Sequence, residues 1–268
     1  MRAKRIPTMK RFMITACAVA AILILNGSAR AGWNEGDGHK MHYPQLPDPN
    51  GWDICLNHQF IADDFLCTET GPITDVHFWV SWQNDNARWD LIQNIGLNIR
   101  GNCSGTPENK PGAILRAYNI SPLDPEYSYR LAGSGLQGWH CPSAPYTNQF
   151  DHENYYQINL KPLDGPWFYQ EAGTTYWLGL NIAMLPDGDQ DPDNDPQIGW
   201  KTTSSPPFGG HSKWSTGGNW DLVQPLPGQK VNQAFVITGV PEPGTLMLLL
   251  TAGLGVLAYA WRRRRAAM

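Results

Sequence analysis

Positive charge is scarce in the body of this chain. Of its 20 Lys and Arg, six lie before residue 32 and four in Arg262–Arg265, which leaves ten against 23 Asp and Glu from Gly32 to Gly239. A net charge near −13 over that stretch excludes charge-driven binding to nucleic acid or anionic lipid and favours a soluble, self-repelling domain. Cysteine is sparse too, with five in 268 residues, and no Cys-x-x-Cys or Cys-His spacing suggests zinc. A Gly-x-Ser-x-Gly elbow, a His-Glu-x-x-His pair and a phosphate-cradling glycine loop are all missing. Asp63 and Asp64 adjoin in a strand-like run, where successive side chains point to opposite faces, so they form no acid/base pair. His39 and His42 sit in a Gly-rich loop, and His58, His77, His140, His152 and His211 each stand alone. These absences argue against an enzyme. They leave open a carboxylate pair that folding brings together.

What is present is clearest at the two ends. Arg2, Lys4, Arg5, Lys10 and Arg11 precede an almost wholly apolar run from Phe12 to Leu25, and Ser28-Ala29-Arg30-Ala31 follows. Small residues at Ala29 and Ala31 occupy the minus-three and minus-one positions of a signal-peptide cleavage, so residues 1–31 read as a removed signal helix and Gly32 as the mature start. At the other end Pro241-Glu242-Pro243 precedes an uncharged stretch, Thr245 to Trp261, and then Arg262, Arg263, Arg264 and Arg265. As a helix that stretch is about 25 Å long, enough to predict a single transmembrane helix over 245–261 with the arginines on the cytoplasmic side.

The order of motif, apolar stretch and basic cluster over Val240–Arg265 resembles the PEP-CTERM sorting signal of Gram-negative bacteria. That resemblance implies recognition by a membrane-embedded, exosortase-like protease. It also implies transient anchoring in the inner membrane, followed by delivery to the cell surface or extracellular matrix, where exopolysaccharide is a further candidate partner.

Between the signals the hydrophobic pattern has a period of two. Val76, Phe78, Val80 and Trp82 alternate with Asp75, His77, Trp79 and Ser81, which predicts a strand with one buried face. Ile95, Leu97 and Ile99, then Tyr156, Ile158 and Leu160, then Tyr176 to Met184, and finally Val231, Phe235 and Ile237 repeat the pattern. Gly, Pro, Asn and Asp clusters at Gly105–Gly112, Ser121–Pro125 and Ser204–Gly210 separate the runs. The prediction is an all-β, antiparallel, jelly-roll-like β-sandwich over 52–239, with 32–51 as a loosely attached lead-in. Ala62-Asp63-Asp64-Phe65-Leu66-Cys67, Pro72-Ile73-Thr74-Asp75-Val76-His77-Phe78-Trp79, Tyr176-Trp177-Leu178, Gly199-Trp200-Lys201-Thr202 and Ala234-Phe235-Val236-Ile237-Thr238 resemble an uncharacterised secreted domain family that often carries this sorting tail. The resemblance implies one domain and no activity.

Three groups of side chains are candidate sites. Cys55, Cys67, Cys103 and Cys141 predict two disulfides in an oxidising compartment, and short-loop closure favours Cys55 with Cys67 and Cys103 with Cys141 among the three pairings. Asp187, Asp189, Asp191, Asp193 and Asp195 alternate like a calcium loop, yet Pro192 stands where an EF-hand needs glycine and Ile198 where it needs glutamate. A solvated acidic loop is the alternative reading. Eleven tryptophans fall in the exported part, and Trp79, Trp139, Trp167, Trp214 and Trp220 are candidate glycan platforms or core fillers. A structural or interaction protein of the surface or matrix fits best, with a glycan-binding module as the alternative and a carbohydrate-active hydrolase as the third class.

The tail generates a direct test. Replacing Glu242 with alanine removes the one charge of the Pro-Glu-Pro motif, so a C-terminal tag that wild type loses in a host with the sorting protease should stay attached. Immunoblotting of cell fractions reads the difference, and equal tag loss from both proteins would refute a role for Glu242.

Overall fold

The structure is a computed structural model that describes residues 32–104, 109–125, 127–161, 168–188 and 195–239. The described residues are mostly β-sheet. Its strands are β1 (Trp52–Cys55), β2 (Phe60–Leu66), β3 (Gly71–Pro72), β4 (Asp75–Trp82), β5 (Ile92–Cys103), β6 (Lys110–Ile120), β7 (Tyr127–Cys141), β8 (Tyr146–Leu160), β9 (Tyr169–Gln170), β10 (Thr175–Met184), β11 (Ile198–Lys201), β12 (Lys213–Ser215), β13 (Asp221–Leu222) and β14 (Phe235–Thr238). One six-stranded sheet runs β11-β1-β7-β8-β4-β14 and a second β13-β12-β2-β10-β5-β6, with β3 and β9 as a separate small pair. In the first sheet β11 pairs with β4 as well as β1, because β14 takes only Asp75–Phe78 of β4 and leaves Val80–Trp82 for β11.

The period of two places the core. Val76, Phe78, Val80 and Trp82 of β4, Ile158 and Leu160 of β8, Ile95, Leu97 and Ile99 of β5, and Leu178, Leu180 and Ile182 of β10 are all buried in one cluster that both sheets share. Phe65 of β2 meets Phe235 of β14 edge-on at 5.9 Å, so the sheets touch through aromatic rings. The opposite face of β4 is buried as well, contrary to the prediction of one buried face: Trp79 lies under Trp33, with ring centroids 6.2 Å apart.

Trp33 belongs to the segment expected to be loosely attached, and that expectation is corrected. Met41 bridges to Cys67, Gln45 to Phe235 and Pro47 to Thr203, and Met41 and Gln45 are buried. The backbone amides of Lys40 and Gln45 donate to the carbonyls of Ile237 and Phe235. A polar, proline-containing segment thus gives backbone partners to a sheet edge that would otherwise stay unpaired.

Two further expectations are corrected. The first sheet is mixed rather than antiparallel, because β1 pairs with β7 in parallel, and the molecule is two large sheets rather than a jelly roll. Among the described residues no helix is long and apolar enough to cross a membrane, so none of them supplies the predicted transmembrane helix or an element for transient inner-membrane anchoring. The signal helix (1–31) and the stretch 245–261 lie outside the described residues.

The disulfide pairing is also corrected. Cys55 bonds Cys141 across 86 residues, with Cα atoms 4.8 Å apart, while Cys67 and Cys103 are free. The parallel register Ile54↔His140 makes Cys55 and Cys141 lateral neighbours, and strand adjacency has overridden loop length. Cys67 and Cys103 follow from β2 and the end of β5, which flank β10, a separation of about two strand spacings and too wide for a disulfide. Alkylation of the chain that starts at Gly32, under denaturing, non-reducing conditions, should therefore label two thiols, Cys67 and Cys103. Replacing Cys141 with alanine should lower unfolding free energy by about 2–4 kcal/mol, read from denaturant titration, as expected for a long closed loop.

Candidate functional site

Strand β1 is four residues long and lies between β11 and β7, with Asp53 opposite Lys201 on one side and Trp139 on the other. The pairings β4–β8, β8–β7, β7–β1, β1–β11 and β11–β4 form a circuit. Polar side chains from its strands meet one another. His152 of β8 reaches Asp53 Oδ2 through Nε2 at 3.1 Å and Asp151 Oδ1 through Nδ1 at 3.0 Å. Lys201 Nζ lies 3.3 Å from the same Asp53 oxygen, donates to Gln137 Oε1, and stands 5.2 Å from the centre of the Tyr155 ring. Ser81 Oγ donates to Gln137 Oε1 at 3.2 Å. The side chains of Asp53, Asp151, His152 and Lys201 have no exposure. Trp139 closes the group, and Gly199 is required beside it because a Cβ there would come within 2.7 Å of the indole.

Both imidazole nitrogens of His152 face carboxylates, which only the doubly protonated ring satisfies. Burial opposes that charge, but the bonds to Asp151 and Asp53 outweigh it and raise the ring to about 9. Burial likewise pushes Asp53 up, and the Lys201 ammonium with His152 holds it below its ordinary value. Burial lowers Lys201 against the pull of Asp53. The group is thus two cations and two carboxylates locked together, and removing one would leave an uncompensated buried charge.

The next residues of the same two strands open a cleft of about 300 Å³. Thr202 Oγ1 accepts from the Trp52 amide at 2.8 Å and donates to the Trp52 carbonyl at 3.0 Å, fixing the strand ends. The Trp52 ring, half-buried, packs on Gly138, where a Cβ would come within 2.5 Å of it. Asp48, Asn50, His211, Gln229 and Asn232 face the same space. Asn232 Oδ1 contacts His211 Nδ1 at 3.2 Å, while Asn232 Nδ2 and Gln229 Oε1 are buried without a hydrogen-bond partner. A donor and an acceptor without partners thus belong to side chains that line one polar cleft.

Of the five tryptophans read as glycan platforms or core fillers, four lie among the described residues. Trp79 and Trp139 are buried, and Trp214 and Trp220 are half-buried, Trp220 beneath the Arg100 guanidinium at 5.0 Å. Trp167 lies outside the described residues, as do Asp189, Asp191 and Asp193 of the acidic loop. Among the described residues, Asp187 and Asp195 included, no group of three His, Cys, Asp or Glu could hold a metal. Ala29, Ala31, Pro241, Glu242, Pro243 and Arg262–Arg265 also lie outside. Asp63 and Asp64 accept from different amides, Gln233 and Gly210, and burial raises both, Asp64 to about 7. Trp52, Asn232 and Gln229 carried no signal as a sequence pattern. His152 looked isolated because its partner Asp53 is 99 residues away.

Comparison with known proteins completes the picture. Residues 41–238 match the family described as domain of unknown function DUF7901, and residues 239–265 match the PEP-CTERM protein-sorting motif. No match is found among curated proteins.

The charge group generates a pH prediction. A ring raised from 6.5 to about 9 on folding contributes stability that is fully present below pH 6.5 and is lost as pH rises through about 9. His152→Gln should therefore be less stable than wild type at pH 6, by at most ~3 kcal/mol. The gap should close by pH 9.5. Chemical denaturation of both proteins across this range checks it, and a pH-independent gap would exclude the imidazolium.

Proposed function

The chain belongs to the DUF7901 family and ends in a PEP-CTERM sorting motif, the mark of an exported and sorted protein with an exosortase-like partner, and we propose that its domain is a non-catalytic binding module for a saccharide-like ligand. The observation that carries this reading is the pair of buried, unpartnered groups, Asn232 Nδ2 and Gln229 Oε1, beside the half-buried Trp52. Sugar hydroxyls donate and accept at once, which suits neutral amides of opposite sense, and the C–H face of a sugar ring suits an indole. Asp48 is the one carboxylate lining the cleft among the described residues, whereas glycoside hydrolysis uses two. Exopolysaccharide around the exporting cell is the candidate source of ligand.

A second reading, contact with other surface proteins, is favoured by the apolar groups left exposed on β6, β7 and β8, among them Leu115, Leu131 and Phe150. Glycan-array binding of the full exported chain separates the two. The saccharide reading expects a bound glycan whose affinity falls roughly tenfold or more in Trp52→Ala and in Asn232→Ala, since each loses a stacking face or a buried hydrogen bond. Absence of binding, or binding that both variants retain, would overturn it.

A further inference from the structure

We propose that Lys201 and Asp53 are joined by an intramolecular amide bond that pins β11 to β1. The two residues stand directly opposite in the antiparallel ladder, and Nζ and Oδ2 are 3.3 Å apart. Neither side chain has any exposure to solvent. Asp53 is fully buried, and the Ser81 hydroxyl, which donates to Gln137 Oε1, also acts on its carboxylate. As a carboxylate the group carries a charge that burial penalises; as an amide it carries none, and the buried ammonium disappears with it. Gln137 and the Tyr155 ring hold Nζ in place, and such fixed orientation can raise effective concentrations to about 10⁵–10⁸ M.

The atoms balance without a co-reactant. One ammonium proton crosses to Oδ2, leaving a neutral amine and a neutral acid. The Nζ lone pair then forms the bond to Cγ. His152, whose Nε2 is 3.1 Å from Oδ2, protonates that oxygen as its bond to Cγ breaks and it departs as water. The imidazole recovers its proton from the new nitrogen, so an ammonium and a carboxylate become an amide and one water. Burial lowers Lys201 against the pull of Asp53, and the low polarity that does so favours the neutral amine that reacts. The bond would close a loop of 148 residues on the same short strand that the Cys55–Cys141 disulfide ties to β7. This proposal is independent of the saccharide cleft.

The test is denaturing mass spectrometry of the full exported protein with thiols reduced and alkylated. The expected mass is one water below that of the sequence with the same termini, and proteolysis should yield a branched peptide carrying both Asp53 and Lys201. Lys201→Arg and Asp53→Ala should restore the unmodified mass, and His152→Gln should lower the cross-linked fraction at early times after synthesis. Recovery of separate, unshifted Asp53 and Lys201 peptides from wild type would overturn the proposal. So would loss of ammonia with a bridge from Lys201 to Gln137. The mass and peptides of the wild-type protein decide between these outcomes, whether or not the variants fold.

Discussion

Asp151, His152, Asp53 and Lys201 follow one another in a line of contacts with no exposure to water, and the first sheet is arranged as the attraction that brings these four side chains together requires. A lone buried charge costs far more than a domain can tolerate, so each strand that supplies one is bound to the strands that supply the others. Strand β1 brings Asp53, β8 brings His152 with Asp151, and β11 brings Lys201. A four-residue strand would gain little from its backbone bonds alone. Here it is fixed on one side by its charge partner and on the other by the Cys55–Cys141 bond, and this explains a parallel pairing with β7 inside an otherwise antiparallel arrangement.

Rigidity at this point is transmitted to the cleft. Trp52 and Thr202 are the residues next to Asp53 and Lys201, so the position of the cleft's aromatic wall follows from the buried charges one residue away. Gly138 and Gly51 let that wall close, since a Cβ at Gly138 would strike the indole and one at Gly51 would strike Thr202 Oγ1. The walls are polar and preset, which spares the ligand proposed for this cleft the entropy loss of ordering them. Both features suit a domain exported beyond the reach of cytoplasmic folding aids.

Much of the strand pattern was legible because half-burial writes a period of two into the chain. The runs at Val76–Trp82, Ile95–Ile99 and Tyr176–Met184 all fall in β4, β5 and β10. β6 and the first half of β7 were not legible, since both expose apolar residues such as Ile114, Leu115 and Leu131 and so break the alternation. Nor was burial on both faces of β4, because Trp79 reads alike as platform or filler until Trp33 is seen to cover it.

By itself the sequence determined the two ends, where targeting information is linear: the apolar run closing on Ala29 and Ala31, and the Pro241-Glu242-Pro243 motif before its basic cluster. It also determined the acidic character of the exported part and its β periodicity, which are sums over local residues. Only the tertiary structure decided that Cys55 pairs with Cys141, that His152 is an imidazolium, and that Trp52 rather than Trp79 or Trp139 walls a cleft. These are contacts between residues about 86 to 180 positions apart. Their partners are chosen by strand order and register, which no local pattern encodes.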